Sequence, residues 1–154
     1  AIIKASIPNK FTVIKRHGKR YIWFEKEPIE SLDVERGEVV FERARKAYKQ
    51  ATINDFIYQR EIIKNIDRNR FSEAFPFFFR FLNHQFAVML NIRYRIDKVD
   101  FSLRYGYRDY PKEIQDLIEQ AMKVSSIEEL KHLYLKVNQY YETLKQDLSS
   151  QFGF

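Results

Sequence analysis

Cations set beside flat rings are what single-stranded nucleic acid needs, since charged groups neutralise phosphates and rings stack on bases. The 154-residue chain gathers such residues in two places. In the first, Lys15, Arg16, Lys19 and Arg20 put four cations within six residues, beside Tyr21 and Trp23. In the second, Arg93, Arg95, Lys98, Arg104 and Arg108 alternate with Tyr94, Phe101, Tyr105, Tyr107 and Tyr110. Its Arg104-Tyr105-Gly106-Tyr107-Arg108 run offers two stacking faces and two guanidinium forks around a flexible residue. Each stretch has a plainer reading. A lysine-rich solvated turn protects a hairpin edge from aggregation, and pairs between these arginines and Asp97, Asp100 or Asp109 would pin a long crossover to the protein body.

Two further groupings carry less. Arg68 and Arg70 fall at the junction of two helices, where cations and free backbone donors can hold a phosphate or simply border a surface turn. Arg80, Asn83, His84, Ala87, Asn91 and Arg95 form a polar stripe, at spacings of three and four, on an otherwise apolar helix. Burying Arg or His without partners is costly, so this stripe must face solvent, a partner or a satisfied network. Arg80 and His84 stand one turn apart and could share a phosphate, Arg stabilising its charge and His moving a proton, but no nucleophile accompanies them. The three histidines are 67 and 48 residues apart and there is no cysteine, which excludes disulfides, thiolate metal sites and cysteine nucleophiles. Phosphate-loop, dinucleotide and nucleophile-elbow motifs are also missing. No catalytic residue, metal or cofactor is therefore expected on the leading reading.

The charge is uneven. The chain carries 27 Lys and Arg against 21 acids, a net +6, yet residues 1–110 hold 22 cations and 14 acids (+8) while residues 111–154 hold 5 and 7 (−2). A field of one sign over the first two thirds points to a polyanion partner. Apolar residues at 45% and aromatics at 16% supply a core, and the Lys, Arg, Glu, Ile and Tyr bias without cysteine leans toward a thermophile. The richest apolar run, Phe77 to Leu90, is broken by Arg80, Asn83, His84 and Gln85, and residues 1–10 lack an apolar leader segment. A cytoplasmic protein with no membrane partner is expected.

The elements that must position these residues can be read from periodicity. Residues 11–25 read as a β-hairpin turning at His17-Gly18, with Gly18 at positive φ and residues 1–8 available as a third strand. Val40, Phe41, Ala44, Ala47, Tyr48 and Ala51 share a helical stripe. Thr52-Ile53-Asn54-Asp55 has the form of a capping box, so a second helix is expected there with Ile53, Phe56, Ile57 and Ile63 facing inward; whether the two are one helix stays open. Ser72 to Pro76 opens a third helix with proline in its first turn, and Phe75 to Ile92 is apolar nearly all round, hence central and buried. Arg93 to Tyr110 is expected as a long loop, Pro111 opens a fourth helix, and Ser125 and Ser126 cap the last. In that last helix Ile127, Leu130, Tyr134, Val137, Tyr141, Leu144 and Leu148 make an a/d seam, which packs within a bundle or against a second copy.

Two family resemblances rest on these residues. The runs NRFSEAF, RFLNH and YPKEIQDLIEQA, within residues 44–146, resemble a HEPN-type helical domain. That resemblance implies either an RNA-cleaving enzyme using an arginine and a histidine, here Arg80 and His84 with three residues between them, or a non-catalytic partner of a nucleotidyltransferase. DRNRFSEAFPFFFRFL at 67–82 is similar to a segment of the helical C-terminal domain of primase large subunits, and with no cysteines present it implies a cluster-free accessory subunit.

The expectation is a mostly α protein, a four- to five-helix bundle with an N-terminal β-hairpin: residues 1–33 as the appendage and 34–154 as the bundle, one domain overall. Its function is read as non-catalytic nucleic-acid binding, DNA or RNA, in an accessory or structural role beside other protein subunits. The alternatives are a metal-independent HEPN-like ribonuclease and a protein-interaction module working through the a/d seam.

Overall fold

A computed structural model describes residues 11–13, 16, 18, 30–32 and 35–154. From residue 37 onward the chain is mostly helical. The elements are β1 (Phe11–Val13), β2 (Glu30–Leu32), α1 (Gly37–Asp67), α2 (Phe71–Phe81), a π turn (Leu82–Phe86), α3 (Ala87–Tyr94), a 3-10 turn (Ile96–Lys98), α4 (Gly106–Asp109), α5 (Lys112–Met122) and α6 (Ile127–Phe152). Among the described residues no helix is long and apolar enough to cross a membrane.

The core forms where α6 lays its seam against α1, α2 and α3. Leu130, Tyr134, Val137, Tyr141, Leu144 and Leu148 are all buried by their own chain, packed with Phe78, Phe81, Leu82, Phe86 and Leu90. A seam occupied in this way leaves no apolar surface there for a second copy, so it does not serve as the oligomer contact. The helix starts as its sequence predicts: the Ser126 hydroxyl accepts from the Glu129 amide at 3.2 Å. In return the Glu129 carboxylate accepts from the Ser125 amide at 2.9 Å.

Two expectations are corrected, and a third is left without support. First, α1 is one continuous 31-residue helix. Thr52 does not cap; its hydroxyl donates back to the carbonyls of Tyr48 and Lys49, which satisfies it in mid-helix. The inward face is Ala44, Tyr48, Ala51, Asp55, Ile62 and Asn65, and the large apolar residues Ile53, Phe56, Ile57 and Ile63 are exposed. Asp55 tolerates burial because Tyr141 and Lys145 of α6 both donate to its carboxylate, at 3.1 and 3.0 Å. Second, α2 begins at Phe71, which puts Pro76 inside the helix rather than in its first turn. The junction before it closes with Asn69 at φ 54°, the amides of Asn69 and Arg70 reaching back to the carbonyls of Ile66 and Asn65.

Third, the hairpin over residues 11–25 finds no support among the described residues. Its described first strand, β1, pairs in parallel with β2, Phe11 against Glu30 and Val13 against Leu32. The strand expected to pair with β1 across the turn, residues 19–24, lies outside the described residues. Arg16, expected in that first strand, is helical, while Gly18 does take positive φ, at 82°. Lys15, Lys19, Arg20 and Trp23 lie outside the described residues, as do residues 1–10.

Candidate nucleic-acid interface

The segment from Arg95 to Tyr110 is built around one guanidinium. Arg95 caps α3 and its side chain turns inward, 6% exposed. Its Nε donates to Asn91 Oδ1 at 2.6 Å, one terminal nitrogen to the Arg104 carbonyl at 2.6 Å and to Asp109 at 3.1 Å, and the other to the Ser102 carbonyl at 2.8 Å and the Tyr110 hydroxyl at 2.9 Å. Asn91, wholly buried, donates its amide to the carbonyls of Val99 and Ser102 and accepts from the Tyr110 hydroxyl. Burial pushes that hydroxyl up to about 12. A long loop thus becomes an ordered one, because its orphan carbonyls converge on a five-donor fork. Arg95 has no donor left for a phosphate and is a structural residue here.

The same construction forces the outer half of the segment into a fixed shape. Gly106 is required: a Cβ there would lie 2.7 Å from the Tyr110 ring. Tyr105 just before it adopts φ 63°, ψ 10°, a left-handed conformation unfavourable for an aromatic residue, and Ser102 sits at φ 51°. Tyr107 is 75% exposed and Tyr105 46%. Arg108 lies over the Tyr105 ring at 5.4 Å, and Arg104 over Phe101 at 5.2 Å. Asp109 answers Arg108, Lys98 and Arg95 together. The hydrogen bond from Arg108, aided by those from Lys98 and Arg95, holds its carboxyl well below the usual carboxylate range despite partial burial. One carboxylate therefore meets three cations, and the surrounding charge stays positive.

The other predicted residues do not join this tip. The Arg16 side chain is 9% exposed, pairs with Asp100 and Glu35 and lies over the Phe101 ring, so its charge is engaged within the protein. Arg93 is exposed at the end of α3 and reaches Gln151 of α6 at 3.4 Å. Arg68 and Arg70 are exposed at the α1–α2 turn, Arg70 beside Glu73. The run from α2 through α3 separates that turn from Arg95 by about 35 Å.

The polar stripe divides. A π turn takes one more residue than an α turn, which rotates the next helical residues by about 100° around the axis. Ala87, Asn91 and Arg95 accordingly face the interior, whereas Arg80 and His84 are exposed and Asn83 half-buried. His84 borders a shallow cleft of about 350 Å³ with Asn54, Asn83, Gln85 and Asp100; Arg80 does not line it. Among the described residues no cluster of His, Cys, Asp or Glu could hold a metal ion.

Asn91 and Tyr110 were legible only as a stripe member and a ring in the aromatic alternation. Their role as the clamp depends on backbone carbonyls, which leave no mark on residue type. Comparison of the chain with protein-family models, with curated proteins and with solved structures gives no match.

Proposed function

We propose that the chain is a non-catalytic nucleic-acid-binding protein, an accessory or structural component of a nucleoprotein complex, and that its tip from Arg104 to Arg108 holds a single strand. One observation carries this reading: two exposed tyrosines alternate with exposed arginines on a segment anchored by a buried clamp, Tyr105 itself standing in left-handed geometry. Strain that the surroundings over-determine clusters at functional sites, and rings held in place stack on bases without first being ordered. The +8 balance of residues 1–110 adds long-range attraction to a polyanion. Fluorescence anisotropy with labelled single-stranded DNA, single-stranded RNA and duplex tests it. Single strands bind best, affinity falls steeply with salt, and Arg104→Ala and Arg108→Ala each reduce the salt slope by about one. Absence of binding to every probe at low salt contradicts the proposal.

A second reading, the HEPN-like ribonuclease, draws on the exposure of His84 at a π turn bordering a cleft, since π turns recur at functional sites. Cleavage of labelled RNA in the presence of a chelator, lost in a folded His84→Ala variant, supports it; intact RNA supports the binding role alone.

A further inference from the structure

Helix α1 carries a second seam on the side away from the core. Lys49, Ile53, Phe56, Arg60, Ile63 and Asp67 step by four, three, four, three and four, the a/d spacing of a helix that packs on another helix. All six are exposed. Ile53 is 71%, Phe56 66% and Ile63 47% exposed, and Ile57 beside them 56%. Four large apolar side chains on one rimmed stripe mark a protein interface.

The order of charges identifies what covers it. Laid antiparallel on its own copy, the seam sets Lys49 against Asp67, Ile53 against Ile63 and Phe56 against Arg60, then repeats these pairs across a two-fold axis. Both ends match in charge, isoleucine meets isoleucine, and the central guanidinium meets a phenyl ring. This register pairs each a position with a d position, as antiparallel packing requires, and brings Ile57 beside its own mate near the axis. Laid parallel, the seam instead opposes Lys49 to Lys49, Arg60 to Arg60 and Asp67 to Asp67, three layers of like charge. Asp67 is a second indication. A carboxylate in the last turn of a helix is opposed by the helix dipole, and among the described residues Asp67 has no ion-pair partner in its own chain. A lysine from a second copy would supply one. We infer that the exposed face of α1 is the interface of an antiparallel homodimer.

Sedimentation velocity on the full chain tests the inference, with variants that leave the core untouched because every changed side chain is exposed. The wild type sediments as a dimer. Phe56→Glu sediments as a monomer with an unchanged circular dichroism melt. Lys49→Asp and Asp67→Lys each weaken the dimer by about tenfold or more, through like charges brought face to face. The double variant, or a mixture of the two single variants, regains wild-type association, since each then restores opposite charges in the antiparallel register. A wild type monomeric at the highest attainable concentration overturns the proposal, as does a dimer indifferent to Phe56→Glu. A double variant no tighter than the singles overturns the antiparallel register. Co-flotation of monomer with anionic vesicles, abolished by Phe56→Glu, assigns the face to a lipid surface and overturns it too.

Discussion

Arg95 and Tyr110 form one half of a segment, and Arg104, Tyr105, Tyr107 and Arg108 the other, with the same two residue types doing opposite work. In the inner half a guanidinium is buried, saturated with acceptors and stacked 4.4 Å from the centre of the Tyr110 ring. In the outer half the guanidiniums and rings face solvent, and among the described residues their polar partners are neighbours in the segment. Interleaved Arg and Tyr therefore do not distinguish a pinned loop from a binding loop. Here the inner half pins and the outer half is presented by it, so the strain at Tyr105 is sustained by the clamp beneath.

Removing the clamp breaks that comparison with the largest effect. Arg95→Met leaves the Arg104 carbonyl without its donor, takes one of two donors from the Ser102 carbonyl and from the Asn91 oxygen, and leaves Asp109 with one fewer cation. Urea denaturation should show a loss of about 3–5 kcal/mol, with the affinity of the remaining folded molecules falling as well. A loss under about 1 kcal/mol would mean that the segment is not held by Arg95.

Gly106→Ala acts on the contact between the halves. The added methyl meets the Tyr110 ring at 2.7 Å, a ring that is itself buried, so thermal unfolding should report about 1–3 kcal/mol of destabilisation. An unchanged midpoint would show that the two halves can move apart freely.

Asp109→Asn gives the smallest effect, seen as a slope. Because the folded carboxyl is held below its ordinary range, its contribution to stability is complete above the unfolded value of about 4 and is lost as pH falls below it. The stability difference between wild type and variant should stay level near neutrality and shrink as pH drops below about 4. A difference independent of pH would remove Asp109 from the cation cluster.

The helices themselves were largely legible, and the reason is visible by setting α6 beside α1. In α6 the a/d face carries nearly all the large apolar residues, with Leu135 the exposed exception, so period and burial agree. In α1 two a/d seams run on separate faces. The more apolar one from Ile53 onward points outward, while the buried one holds Asp55 and Asn65. Periodicity finds a face but not what lies against it; the donors that make Asp55 tolerable come from Tyr141 and Lys145, more than 80 residues away. The same limit hid the Arg95 clamp, whose acceptors include the main-chain carbonyls of Ser102 and Arg104, and the β1–β2 pairing, which has no turn signal because its strands are parallel. The exposed tip residues were legible because their chemistry is carried by side chains alone.

The most direct test of the central proposal, that the inner half presents the outer half to a single strand, is a paired titration of wild type and Tyr107→Ala with one labelled single strand, each sample also unfolded in urea. Tyr107 makes no ring contact among the described residues and is largely exposed, so its loss should leave stability unchanged. Affinity should fall by about 1–3 kcal/mol. Equal affinity in the two proteins, or no binding by either, would contradict the account.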